Sequence, residues 1–207
     1  MNQYLAAKIH SIRFVGLCIA RLFIIKQRSL LLFCILTVTM ATANTEEIGG
    51  DFSLTDHHNK SFELEQLKGK LVLLFFGYTY CPDICPTELA NLAMVFDELK
   101  SQADQVQGLF ISLDPERDTP EVLHDYVGYF SEGLLGLTGS EVEVRQVARQ
   151  YRVKYQRHDK KGGDYSIDHS ANLYVINREG ILSAVIPYGM PPEHVLELVQ
   201  GLLAEEG

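Results

Sequence analysis

Acid is missing from one end of this 207-residue chain: the first 43 residues contain neither Asp nor Glu. The same stretch holds Lys8, Arg13, Arg21, Lys26 and Arg28, which leaves 13 of the 18 basic residues to face all 27 acidic ones in the remainder. So acidic a surface repels a phosphate backbone, and nucleic acid is excluded as the expected partner. Cysteine is scarce too, at four. Cys18 and Cys34 fall in the basic end, where Leu17 and Phe33 precede them instead of the small residue a lipoprotein signal requires, so they read as packing residues. Cys81 and Cys85 are left, too few for a disulfide framework and close enough for a redox or metal pair. There is also no Ser/Pro-rich linker and no internal repeat, so residues 48–207 read as one domain of ordinary size.

What is present at the basic end is an uncharged apolar run, residues 29–43, preceded by Lys26 and Arg28 and closed by Ala41-Thr42-Ala43. The pattern fits a secretory signal with an A-x-A cleavage site. Extended to Thr45, the run also approaches the roughly 18–20 residues of a spanning helix. Residues 1–43 are therefore expected to be a cleaved signal peptide or a retained membrane anchor. In both cases basic residues before the run and acids after it place the later domain outside the cytoplasm, periplasmic and either anchored or soluble.

Residues 52–54 and 61–62 flank the turn-like Asp56-His57-His58-Asn59-Lys60 and predict a small hairpin, with His57 and His58 solvated at its tip. The run at 71–76 has strand length and suits a strand buried on both faces. Apolar residues at Leu89, Leu92, Ala93, Phe96 and Leu99 then follow a helical period, with Pro86 and Thr87 in the first turn. A buried strand is expected at 107–113. Pro120 opens a helix over 119–130, and Ser140 with Glu143 forms a capping box for one over 140–151. Strands at 172–176 and 181–186 are joined by Asn177-Arg178-Glu179-Gly180, and a helix starting at Pro191 or Pro192 closes the chain. This order predicts an α/β fold: a central mixed sheet flanked by helices on both faces, with an N-terminal β-hairpin.

Cys81 and Cys85 lie after a buried strand and at a helix start, where unpaired backbone N–H groups lower thiol pKa. Pro82 and Pro86 stiffen the loop. Two soft sulfurs suit Cu(I), zinc or an iron–sulfur centre, but structural zinc wants four ligands and no third cysteine is available. Among the six histidines outside the basic end, His169 stands out in Asp168-His169-Ser170, entering a central strand, with Asp168 as an orienting neighbour. It reads as a metal ligand or as an ordinary loop histidine. Met190 is a soft donor but reads as packing, and Tyr78 and Tyr80 as walls of the site.

The segments GYTYCPDICPTEL (77–89), SLDPERDT (112–119) and Asp168-His169-Ser170, with supporting matches from Gly49 onward, resemble the SCO/SenC family of copper-binding cytochrome c oxidase assembly proteins. The resemblance implies a thioredoxin-like fold and one copper ion, Cu(I) or Cu(II), on Cys81, Cys85 and His169. It also implies a metallochaperone, a binding protein rather than an enzyme, that helps load the CuA centre. Its partners would be the copper-bearing oxidase subunit, other copper chaperones and thioredoxin-like reductants. Asp114, Arg117 and Asp118 match a family segment that would face the site from behind, or else serve as helix cap and surface ion pair. The rival function is a thiol–disulfide oxidoreductase using Cys81 and Cys85. Against it stand a three-residue spacer instead of two and a histidine where those enzymes carry a cis-proline. The P-x-x-x-T-x-x-C pattern of a peroxide scavenger is absent.

Overall fold

The all-apolar run LVLLFF becomes strand β3 (Leu71–Gly77), every residue of which is buried, because side chains alternate between the two faces of a sheet covered on both. Leu71, Leu73 and Phe75 enter one core and Val72, Leu74 and Phe76 the other. A computed structural model describes residues 48–205 of the chain. The expected signal or anchor at 1–43 lies outside the described residues.

Around β3 the chain forms β1 (Ser53–Asp56), β2 (Ser61–Glu63), α1 (Ile84–Leu99), β4 (Val106–Ser112), α2 (Pro120–Phe130), β5 (Leu134–Thr138), α3 (Glu141–Gln150), β6 (Tyr155–Asp159), β7 (Tyr165–His169), β8 (Leu173–Ile176), β9 (Leu182–Ile186) and α4 (Pro192–Glu205). Seven strands make one mixed sheet in the order β2-β1-β5-β4-β3-β8-β9. β3, β4 and β5 are parallel, and β1 and β8 join antiparallel. Helices α1, α2 and α4 pack Leu89, Leu92, Phe96, Leu123, Val127, Val199 and Leu203 on one face. On the other, α3 packs Val144, Val147 and Ala148 beside Phe52, Leu54 and Phe62 of the first hairpin. Truncating one of the fully buried leucines here costs about 2–5 kcal/mol.

The signals at the element ends act as expected. Thr119 Oγ1 accepts from Val122 N ahead of Pro120. Ser140 and Glu143 complete the capping box. Asn177 Oδ1 accepts from the N–H groups of Glu179 and Ile181 in the β8–β9 turn, where Gly180 takes a φ of 85°.

Two features depart from expectation. β5 was not expected: its apolar run of five residues carries Gly136 and directly precedes a capping box. It forms because β4 and β1 offer it a partner on each side. The β6–β7 hairpin, a separate two-stranded sheet, was also not expected, since β6 (YQRHD) is exposed from its second residue on and shows no apolar alternation. His169 consequently ends a strand instead of lying in a loop.

Candidate metal centre

Helix α1 begins without a conventional cap, as the Asp83 side chain makes no capping hydrogen bond. Cys81 takes that place, its Sγ accepting from Cys85 N–H at 3.4 Å. The positive end of the helix thus falls on one sulfur. Cys85, inside the first turn, is fully buried against β3, and Cys81 is partly exposed. A hydrogen bond from Cys85, with the backbone N–H groups of Cys85 and Asp83, holds the Cys81 thiol far below its usual range against the opposing effect of partial burial. Its bond to Cys81, with burial, pushes the Cys85 thiol up. The free pair therefore shares one proton: Cys81 is the thiolate and Cys85 the thiol that donates to it. Expecting both thiols to be lowered at the helix start misses this division, which follows from burying one and leaving the other at the surface.

His169 reaches the sulfurs from the β6–β7 hairpin. Its Nε2 is 3.4 Å from Cys85 Sγ, and its Nδ1 is 3.1 Å from the Ser170 carbonyl. A carbonyl only accepts, so Nδ1 carries the ring proton and Nε2 turns a lone pair to the sulfurs. Donor atoms of Cys81, Cys85 and His169 all lie within 4.8 Å of one another, the one such group among the described residues. Phe75 and Tyr78 wall the imidazole edge-on, with centroids at 6.3 and 5.9 Å.

Asp168 does not orient this ring. Successive strand residues point to opposite faces, so Asp168 turns outward to His158 Nε2 at 3.1 Å while Tyr165, Ile167 and His169 share the inner face. Asp114 acts through that inner face. Almost fully buried, it accepts from the Tyr165 hydroxyl at 2.6 Å with one oxygen and from Arg117 Nε at 2.5 Å with the other. Arg117 Nη1 in turn donates to the Tyr165 carbonyl, and Ile167 N donates to the Tyr78 hydroxyl.

Asp118 ties down the other half. Fully buried, it accepts from Thr79 N, Thr79 Oγ1 and Ser112 Oγ at 3.1, 2.6 and 2.5 Å. Burial pushes its carboxyl up, against the pull of those donors. The segment Asp114–Asp118 is thus a brace between the cysteine loop and the histidine hairpin, not a surface ion pair.

Tyr78 is a wall as expected, whereas Tyr80 is 63 % exposed beneath the Arg117 guanidinium, 4.5 Å from its ring centre. Met190 packs on the core. Sequence reasoning missed Gly77 and Tyr165. A Cβ on Gly77 would stand 2.6 Å from Cys85 Sγ, so the sulfur occupies the space a side chain would fill. Tyr165 was visible only through its period-two spacing with Ile167 and His169.

The SCO1/SenC family model matches residues 40–204. A mitochondrial SCO1 homologue of Arabidopsis thaliana is 45% identical over 139 residues, covering 67% of this chain and 42% of that protein. A SCO2-like protein of Rickettsia felis is 36% identical over 157 residues, covering 75% and 77%. The chain thus spans less than half of the Arabidopsis relative and most of the Rickettsia one. Among solved structures, copper-bound ScoI of Bradyrhizobium japonicum is 40% identical with a TM-score of 0.71, over 75% of this chain and 99% of that one. With a matching mixed α/β fold and a Cys-x-x-x-Cys/His group of donors in place, the chain belongs to the SCO1/SenC family.

Proposed function

We propose that this domain holds one copper ion on Cys81 Sγ, Cys85 Sγ and His169 Nε2 and passes it on as cargo in building the CuA centre of cytochrome c oxidase. The observation that carries the reading is the gathering of two soft sulfurs and an imidazole nitrogen within 4.8 Å, from a loop and a hairpin far apart in the chain. Thiolates suit Cu(I), and an imidazole with its tautomer set by a carbonyl extends the set to Cu(II). The partners are the copper-bearing oxidase subunit, together with the copper chaperones and thioredoxin-like reductants that load and reduce the site. The basic and apolar N-terminal segment, as signal or anchor, delivers the domain to the periplasmic side.

The test compares the wild type with His169→Ala for both copper states. Loaded with Cu(I), the reduced wild type gives about one equivalent of copper by metal analysis, from three donors at one site. His169→Ala loses the sulfur-to-copper charge-transfer absorption of the Cu(II) form and most of the Cu(II) affinity of this site. Cu(I) stays on the two thiolates. Unchanged Cu(II) absorption and affinity in the variant rules out the three-ligand site.

The division of the cysteines into a surface thiolate and a buried thiol also supports thiol–disulfide exchange as an accessory activity. Cys81 attacks a partner disulfide and releases one partner thiol. Cys85 then displaces the second as the Cys81–Cys85 disulfide forms. Cys85→Ser traps the mixed disulfide if this occurs. With no copper bound under reducing conditions and the adduct trapped, exchange becomes the primary function.

A further inference from the structure

A second cluster of metal-type donors lies away from the cysteines. The turn after β1 sets His57 beside His58, and α2 brings His124 against both. Ring centroids are 4.2 Å apart for His57 and His58, 5.2 Å for His57 and His124, and 5.7 Å for His58 and His124. In the sheet order β1 stands three strand spacings from β3, on the order of 14 Å, so the cluster shares no donor with the cysteine site.

The turn is built to hold its position. Asp56 Oδ1 accepts the N–H groups of His58 and Lys60 at 2.9 and 2.8 Å, and Asn59 adopts a φ of 60°. Gly136 N donates to His57 Nδ1 at 3.1 Å, which seats the imidazole against β5. The Nε2 atoms of His57 and His58 are 3.0 Å apart. Two nitrogens bound to one metal at about 2.0–2.1 Å are separated by about 2.9 Å at a right angle and about 3.3 Å in a tetrahedron. The observed spacing, a hydrogen bond in the metal-free protein, also falls within the range of two ligands on one ion.

Burial and the neighbouring His58 and His124 lower the pKa of His57, opposed by Asp56, and so favour the neutral ring a cation requires. Asp125 also borders the cluster, 3.3 Å from His124 Nδ1.

We propose that His57, His58 and His124 form a second, thiol-independent site for a borderline divalent cation of the Cu(II) or Zn(II) class, for which imidazole is the fitting donor. In the metal-free protein the Gly136 N–H keeps His57 Nδ1 unprotonated, so the ring proton sits on Nε2 and is donated to His58. The cation replaces that proton between the two Nε2 atoms. His57 then carries its proton on Nδ1 and gives up the bond from Gly136. His124 is exposed and closes the site by turning away from Asp125, so the ion assembles the third ligand instead of finding it in place.

The test uses the full chain carrying Cys81→Ser and Cys85→Ser, titrated separately with Cu(II) and with Zn(II). About one equivalent of either ion binds, and the Cu(II) resonance spectrum shows nitrogen hyperfine structure. Binding weakens at acid pH, where protons compete with the cation for the ring nitrogens. Adding His58→Gln and His124→Gln lowers the affinity at least about tenfold, through loss of two imidazole ligands, with the thermal midpoint kept. The same change at His158 and His194 leaves affinity unaltered. In the chain with its cysteines intact, His58→Gln with His124→Gln removes one of two Cu(II) equivalents, a readout independent of the serine background. No bound ion, binding that survives His58→Gln with His124→Gln, or equal loss in the His158 and His194 control overturns the site.

Discussion

Gly77 and Cys85 show how closely single residues set this site. The space of one missing Cβ is filled by the cysteine sulfur on one side and the Phe110 ring on the other, at 2.6 and 2.8 Å. Gly77→Ala must displace one or both, and overpacking of this kind costs about 1–3 kcal/mol. We expect Gly77→Ala to remain folded with a lower unfolding midpoint and to lose Cu(I) affinity about tenfold or more, as shifted sulfurs miss their geometry. Competition against a Cu(I) chelator measures this. Wild-type affinity in the variant means that the ring, not the sulfur, moves. At Cys81 the sequence showed a helix-start thiol, but the difference between the two thiols required knowing which is buried.

At the scale of elements, the β6–β7 hairpin delivers His169, and the buried Tyr165 hydroxyl is one of the bonds that anchor it to the rest of the domain. Tyr165→Phe removes the bond to Asp114 and leaves a buried carboxylate oxygen short of a donor, a loss of about 1–3 kcal/mol. The hairpin should then loosen while the cysteine loop, held by Asp118 through Thr79, stays in place. Cu(II) absorption is expected to weaken and Cu(I) affinity to change little, alongside faster amide exchange in the hairpin. Equal weakening of both copper states shows instead that the hairpin and the loop move as one unit. Asp118→Ala is the complementary change: it strands Thr79 and Ser112 and is expected to reduce both copper states together, at a stability cost of about 2–4 kcal/mol. Loss of Cu(II) alone in Asp118→Ala would mean that the brace supports only the hairpin.

For the molecule as a whole, the buried acid that no hydrogen bond or ion pair described above uses is Glu88 in α1, which is 6% exposed; desolvation raises its pKa to about 7. In the unfolded chain it titrates near the ordinary value of about 4.3. Between those values the folded state holds the extra proton, so the contribution of Glu88 to stability is fully present below the lower value. It is lost as pH rises through about 7. Thermal unfolding of wild type and Glu88→Gln should therefore agree near pH 4.5 and diverge toward pH 8. The glutamine variant gains at most about 4 kcal/mol, at about 1.4 kcal/mol per pKa unit. A constant difference across that range assigns the variant's effect to packing alone.

Much of this architecture could be read from local chemistry. The buried strand at 71–76, the capping box at Ser140 and the Asn177–Gly180 turn are specified by residues adjacent in sequence, because caps, turns and periodicity act over a few positions. The donors Cys81, Cys85 and His169 were legible as residue types in a motif. Their assembly was not, since β6 lacks any apolar signal and the hairpin it forms with β7 is held by contacts to the distant Asp114–Arg117 brace. Asp168 was misplaced for the same reason: only strand formation decides which of two adjacent side chains faces inward. The sequence by itself determined the local elements and the chemistry of the donors. Tertiary structure alone decided which donors meet, which thiol is buried and which carboxylates hold them, because those outcomes depend on contacts between residues tens of positions apart, which no local pattern encodes.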